Sequence, residues 1–127
     1  MSDDRITRGR KIRNHLFPPA DPAQPEEPML PIEKELAAIN EAHAFGDLWS
    51  RETLPMKTRS LLTLGILTAL YRPEQVRIHV QGALNIGLTP EEILEAIYHA
   101  GAYAGIPAAN SARTVAHDVF KKKGLIK

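Results

Sequence analysis

One run of residues constrains the fold most, because helix signals stand at both of its ends: YRPEQVRIHVQGALNIG, from Tyr71 to Gly87. Pro73 suits the first turn of a helix, and Gly87 is typical of the residue that ends one. On a 3.6-residue repeat the apolar residues form two nearly opposite sides, Val76, Val80, Ala83 and Leu84 on one and Ile78, Gly82 and Ile86 on the other. The run is therefore predicted to be a helix that is covered on two sides.

His79 lies on the seam between these two sides, and Gln75 lies one turn earlier on the same seam. A histidine in this position is either a core residue whose ring is hydrogen-bonded or part of the wall of a pocket. Spacing alone leaves both interpretations open.

Composition narrows the function classes. The 127 residues are long enough for one domain with a core. A net charge of +1 gives no electrostatic reason to expect nucleic acid or a membrane surface as partner. The absence of cysteine excludes disulfides, thiol catalysis and cysteine metal sites. No apolar run approaches the roughly 20 residues of a spanning helix, and the first residues lack the apolar core of a signal peptide. A cytoplasmic protein is expected.

The chain divides into an N-terminal arm with a proline-rich connector, residues 1–31, and a helical domain, residues 32–127. In the arm, 5–17 is predicted to be a marginal amphipathic helix, and the six prolines within 18–31 favour an extended connector. The domain is predicted to be all-α because no run has the period of a strand. Its expected helices are 32–48, bent or frayed near Gly46, and then 56–70, 74–86, 89–104 and 108–122.

The segment 56–70 is apolar around the whole helical wheel after a polar first turn, which predicts a helix buried on all sides. A chain of this length has few elements to cover it. Small residues that permit close helix approach recur at Gly82, Ala83, Ala100, Gly101, Ala108 and Ala109. Together these features predict a homo-oligomer of helical subunits.

Motif searches leave a short list of side chains for chemistry. No HExxH pair, GxSxG elbow, GxGxxG or P-loop is present, so neither a serine nucleophile nor a bound nucleotide is expected. Glu95 with His99 and His43 with Asp47 have i,i+4 spacing, which more often gives ion pairs than metal sites, so no metal is predicted. The polar side chains that remain are His79, His99, Tyr103, Asn110 and the arginines Arg59, Arg72 and Arg77. An arginine pairs bidentately with a carboxylate, although a solvated ion pair is equally consistent.

Three segments, TRSLLTLGILTAL, RIHVQGALNIGLTPEEI and YAGIPAANSA, stand in this order in the chain. In order and spacing they resemble the carboxymuconolactone decarboxylase family, and RGRKIR resembles its start. The resemblance implies an alkylhydroperoxidase D-like helical subunit assembled as a ring, usually a hexamer, with a trimer as the other possibility. It also implies cofactor-free decarboxylation of 4-carboxymuconolactone to 3-oxoadipate enol-lactone in the breakdown of protocatechuate.

The sister branch of alkylhydroperoxidase D uses a CxxC pair followed by a histidine. When the chain is aligned on His79, those cysteine positions fall on Arg72 and Gln75, so thiol peroxidase chemistry is not expected at this site. Decarboxylation needs a cation for the carboxylates of a small acid or lactone substrate, a donor to the enolate oxygen and an acid. His79 is predicted to be the general acid, because its ordinary pKa lies near working pH. Arg59, Arg72 and Arg77 compete for the carboxylates, and His99, Tyr103 and Asn110 for the lactone or enolate oxygen.

The family usually has WxRPGLDxRTRS where this chain has WSRETLPMKTRS, and the proline-rich connector is also unlike the usual lead-in. Both departures bear on the exact substrate more than on the fold, and the altered WSRETLP turn favours an alternative, a family paralogue that acts on another small acid or lactone. A non-catalytic helical oligomer is the third hypothesis.

Overall fold

The structure is a computed structural model, and it describes residues 4–19 and 27–127. Every regular element in these ranges is helical, which confirms the all-α prediction, and none of these helices has the length and apolarity needed to cross a membrane. Half of the predicted connector, residues 20–26, lies outside the described residues. The elements are α1 (Asp4–Leu16), α2 (Pro31–Asn40), a π-helix (Glu41–Trp49), α3 (Met56–Ala69), α4 (Pro73–Asn85), α5 (Pro90–Ala104) and α6 (Ile106–Lys122).

The chain forms two compact units, Met1–Leu54 and Pro55–Lys127. In the first unit, α1 packs against the π-helix through two glycines. A Cβ atom at Gly9 would collide with the carbonyl group of Glu41, and one at Gly46 would collide with the carbonyl group of Arg5. Arg10 Nε donates to a Glu41 carboxylate oxygen at 2.7 Å across the same contact. The close backbone approach explains why small residues stand at both positions.

The helix predicted over 32–48 is continuous but changes its winding. It starts at Pro31, with the Leu30 amide donating to the Glu33 carboxylate at 2.5 Å, and it turns into the π-helix at Glu41. Gly46 therefore does not fray the end. It lies buried inside the wider π turns, and Ser50 Oγ donates to its carbonyl oxygen at 2.5 Å. The α2 part has no buried residue.

The second unit is a bundle of four helices around one core. α3 packs on α4 and α5, and α6 packs on the same two helices, whereas α4 and α5 touch each other least. α4 and α5 therefore lie at opposite corners of the bundle. Of the two sides of α4 that were predicted to be covered, the first is confirmed, since Val76, Val80 and Ala83 are buried. The second is covered only in part within the single chain, because Gly82 is buried and Ile78 is exposed. The large buried side chains that pack with them are Leu64, Ile93, Ile97, Val119 and Phe120.

The prediction that α3 is buried on all sides is wrong for the single chain. Its buried residues are Ser60, Leu64 and Thr68, while Leu62 and Ile66 are half exposed. The reason is geometric, because neighbours cover only one side of α3. Apolar residues on every side of a helix show that the whole helix surface needs to be covered, but they do not show which neighbour covers it.

Candidate functional site

The leading candidate residues lie along one side of α4. Arg72 is the residue before the first turn, and Gln75 and His79 follow at helical spacing. Seven residues span two turns, so Arg72 and His79 are separated by about 10 Å along the axis on nearly the same side. We call Arg72, Gln75 and His79 the α4 stripe.

His79 is partly buried, and burial lowers the pKa of its imidazole below the ordinary 6.5. Desolvation does this because it penalises the charged form. In the unliganded protein at neutral pH the ring is therefore mainly neutral. A bound carboxylate acts in the opposite direction, since a nearby negative charge favours the imidazolium.

The three candidate arginines differ in their partners. The Arg77 guanidinium is hydrogen-bonded to the Asp118 carboxylate and lies 3.5 Å from the Glu74 carboxylate, so it ties α4 to α6. The Arg77 bond, with a second from Lys122, holds the pKa of Asp118 below its ordinary value. Arg59 is half-buried in the first turn of α3. Arg72 is exposed, and among residues 4–19 and 27–127 its guanidinium has no hydrogen-bond or ion-pair partner.

His99 and Tyr103 lie elsewhere, in a groove between α3 and α5 with a volume of about 880 Å³. Their ring centroids are 5.4 Å apart at one end of the groove. The other end carries the carboxylates of Glu91, Glu92 and Glu95. The rest of the lining is largely apolar and includes Leu61, Leu62, Gly65, Ile66, Ala69, Ala96, Ala100 and Ala104. We call this region the α3–α5 groove.

The predicted site residues thus fall into separate places within one chain. Arg72 and His79 share the α4 stripe, whereas His99 and Tyr103 share the groove on the opposite corner of the bundle. Asn110 is exposed on α6, and its carbonyl accepts a hydrogen bond from Thr114 Oγ1 at 3.0 Å. The single chain does not bring the seven residues together, and their functional roles stay predictions.

Sequence reasoning missed Tyr71 and Ser111. Ser111 Oγ on α6 donates to the Tyr71 hydroxyl oxygen at 3.2 Å, directly beside Arg72. Tyr71 has a φ of 58°, a left-handed conformation that is uncommon for residues other than glycine. The sequence signal was available, because Tyr71 stands between the end of one helix and the Arg-Pro start of the next, where glycine is usual.

Known proteins with similar sequences place the chain in a family. The model of the carboxymuconolactone decarboxylase family matches residues 34–118, a range that contains every candidate site residue. The chain belongs to the carboxymuconolactone decarboxylase family. It is 34% identical over 126 residues to the 4-carboxymuconolactone decarboxylase of Acinetobacter baylyi, covering 98% of this chain and 94% of that protein. It is 42% identical over 72 residues to the nitrosuccinic acid decarboxylase of Metarhizium robertsii, covering 57% of this chain and 50% of that protein.

Within the described ranges, no group of three or more His, Asp or Glu side chains is placed to hold a metal ion. The polar groups that the α4 stripe offers are an exposed guanidinium, an amide and a partly buried imidazole. Together these groups can bind an anion, donate hydrogen bonds and transfer a proton.

Proposed function

We propose that the protein is a cofactor-free decarboxylase of a small lactone carboxylic acid, and that its substrate is 4-carboxymuconolactone, converted to 3-oxoadipate enol-lactone in the breakdown of aromatic compounds in the cytoplasm. The observation that carries the proposal is the 34% identity to 4-carboxymuconolactone decarboxylase, which extends over nearly the whole of both chains. A second decarboxylase of a small acid among the relatives supports the same reaction class.

The chemistry requires little from the protein beyond binding and one proton. Cleavage of the bond to the carboxylate releases carbon dioxide, and the electron pair moves through the ring double bond to the lactone carbonyl oxygen. The enolate then takes a proton at carbon, which completes the enol-lactone. A site for this reaction holds the carboxylates, stabilises the enolate oxygen and supplies the proton.

The α4 stripe offers these functions in order. Arg72 binds a substrate carboxylate, because its guanidinium is exposed and unpaired among the described residues. His79 supplies the proton. Burial lowers the pKa of His79 in the free protein, and the negative charge of a bound substrate raises it again, which favours the protonated ring. Gln75 lies between them as a hydrogen-bond donor for the lactone.

The proposal also includes the oligomeric state of the protein. We take the working protein to be a homo-oligomer, a hexamer or a trimer, because the α3–α5 groove and the outer side of α3 leave large apolar side chains exposed. The candidate residues on α5 would then meet an α4 stripe where two subunits adjoin, because α4 and α5 lie at opposite corners of the bundle within one chain.

The test supplies 4-carboxymuconolactone to the purified protein and follows both the ultraviolet absorbance of the lactone and the release of carbon dioxide. We expect that 4-carboxymuconolactone disappears and that one equivalent of carbon dioxide is released, without an added metal or organic cofactor. A lactone that stays intact in the presence of protein with a native melting profile contradicts it.

The second candidate function is decarboxylation of another small acid. It is favoured by the 42% identity to nitrosuccinic acid decarboxylase over 72 residues and by the altered WSRETLP turn. A panel that contains nitrosuccinate and related small acids separates the two. The substrate with the higher kcat/KM identifies the function.

A further inference from the structure

The turn between α3 and α4 holds a tyrosine where the rest of the bundle uses glycine. α3, α4 and α6 all end in the same hydrogen-bonded cap, a Schellman motif. At the end of α3 the Arg72 amide donates to the Leu67 carbonyl at 3.0 Å and the Tyr71 amide to the Thr68 carbonyl at 3.1 Å. The left-handed residue is Gly87 at the end of α4 and Gly124 at the end of α6, but it is Tyr71 at the end of α3.

A tyrosine in this conformation costs free energy that a glycine would not. Packing does not explain it, since the Tyr71 side chain is 61% exposed and the depression below it has a volume of only about 10 Å³. Within the part of the chain that the structure describes, its side chain makes one hydrogen bond, between its hydroxyl and Ser111 Oγ. Two hydroxyls can share a hydrogen bond in either sense, and with Ser111 as the donor the proton of the Tyr71 hydroxyl is available to an acceptor outside the turn.

The surroundings of that hydroxyl favour an anion. Arg72 is the next residue and lines the same depression, and its guanidinium is unpaired among the described residues. The lining, which also includes Leu67, Pro73 and Ala108, contains no carboxylate. The lining of the α3–α5 groove, by contrast, contains three carboxylates. A donor hydroxyl beside a free guanidinium is suited to a carboxylate, which accepts several hydrogen bonds at once.

We propose that Tyr71 is a substrate-binding residue: its hydroxyl, oriented by Ser111, donates a hydrogen bond to the carboxylate that Arg72 holds. This subsite stands at the end of the α4 stripe, about two helical turns from His79. It rests on the proposed function for the identity of the acid. It binds the carboxylate that is retained in the product, because the other carboxylate leaves as neutral carbon dioxide and a cation beside it would stabilise it against leaving.

The first test compares Tyr71→Phe with Tyr98→Phe, a matched change at an exposed tyrosine outside the groove lining and the stripe. Loss of one hydrogen bond to a charged group predicts a rise in KM of roughly tenfold for Tyr71→Phe, with kcat nearly unchanged. Tyr98→Phe is expected to keep the wild-type KM. Equal KM values for the two variants overturn the proposal.

Tyr71→Gly adds a readout that a structural role would not give. It relieves the left-handed strain, so the melting temperature is expected to stay equal or rise while KM rises at least as much as in Tyr71→Phe. Ser111→Ala leaves the tyrosine hydroxyl unoriented and is expected to raise KM by a smaller factor. A Tyr71→Gly protein with a raised melting temperature and an unchanged KM contradicts the subsite.

Titration with adipate, a dicarboxylate without a lactone ring, separates this inference from the proposed function. Calorimetry is expected to give a dissociation constant that is larger in Tyr71→Phe than in the wild type. Adipate binding that depends on Tyr71 in a protein that leaves the lactone intact supports the subsite and contradicts the proposed function. Lactone turnover with no dependence on Tyr71 contradicts the subsite alone.

Discussion

The α4 stripe and the α3–α5 groove both combine a histidine with neighbouring polar groups, yet they differ in size and charge. The groove is large and apolar, and three glutamates line its other end. The stripe adjoins a small depression, and among residues 4–19 and 27–127 its arginine has no ion-pair partner and no carboxylate lines the depression. A negatively charged acid is repelled by the first arrangement and attracted by the second. The large apolar groove is therefore suited to contact with another protein chain, and the charge of the α4 stripe is suited to a negatively charged ligand.

The largest expected effect is on catalysis by the stripe. His79→Gln removes the proton donor but keeps a polar side chain of similar reach. Because general acid catalysis contributes roughly 10²–10⁴-fold, kcat is expected to fall by that factor, with the assembly unchanged by light scattering.

The matched control is His43→Gln, a change at an exposed histidine of the first unit. It is expected to keep the wild-type kcat. A His79→Gln protein that turns over as fast as this control would show that the stripe does not perform the chemistry.

The groove is tested by placing a charge in its apolar part. Ile66→Glu puts a carboxylate among Leu62 and other apolar side chains that the groove exposes. A buried unpaired charge costs several kcal/mol at an interface, so the oligomer is expected to dissociate to smaller species in sedimentation velocity. Asn85→Glu, an exposed change at the end of α4, provides the comparison. An assembly that persists in Ile66→Glu refutes the groove as the contact surface.

The pH dependence sharpens the role of His79. Burial places its pKa below 6.5 in the free protein, and the acid form is the one that carries the proton. Thus kcat/KM is expected to fall about tenfold per pH unit as the pH rises above that pKa, because it reports the free enzyme. In kcat the fall begins at higher pH, since the bound substrate favours the imidazolium. A kcat/KM that rises through this range would mean that the neutral ring is the active form.

The smallest effect concerns the helix that forms one wall of the groove. Thr89 Oγ1 accepts from the Glu92 amide at 3.1 Å, and the Glu92 carboxylate accepts from the Thr89 amide at 3.0 Å. Thr89→Ala is expected to lower the unfolding free energy by about 1 kcal/mol. KM should not change if the stripe holds the substrate. Urea denaturation beside Thr53→Ala, a change in an exposed turn, measures the first effect, and a rise in KM would bring α5 into the site.

Local signals in the sequence predicted the elements well. The helix over 89–104 and the apolar side of α4 formed by Val76, Val80 and Ala83 were both predicted, because a helix start and a helical repeat depend on a few neighbouring residues. The bond between Arg77 and Asp118 was not found, since it joins residues 41 positions apart and depends on how α4 meets α6. The change to π winding at Glu41 was missed for a related reason, as it follows from the close approach of α1.

The sequence predicted which residues are candidates for the site but not how they are arranged in space. Periodicity placed Gln75 and His79 on one side of α4, but it does not report that α5 lies at the opposite corner of the bundle. The contribution of Tyr71 depends on its backbone angle and on Ser111 across the turn. Neither is encoded in a repeat.

The most direct test of the stripe as the substrate site is a crystal structure of the protein with bound adipate. We expect one carboxylate of adipate within hydrogen-bond distance of the Arg72 guanidinium and the Tyr71 hydroxyl, with the carbon chain of the ligand running along α4 toward His79. Adipate seated in the α3–α5 groove beside His99 and Tyr103, with Arg72 still in contact with solvent, would contradict it.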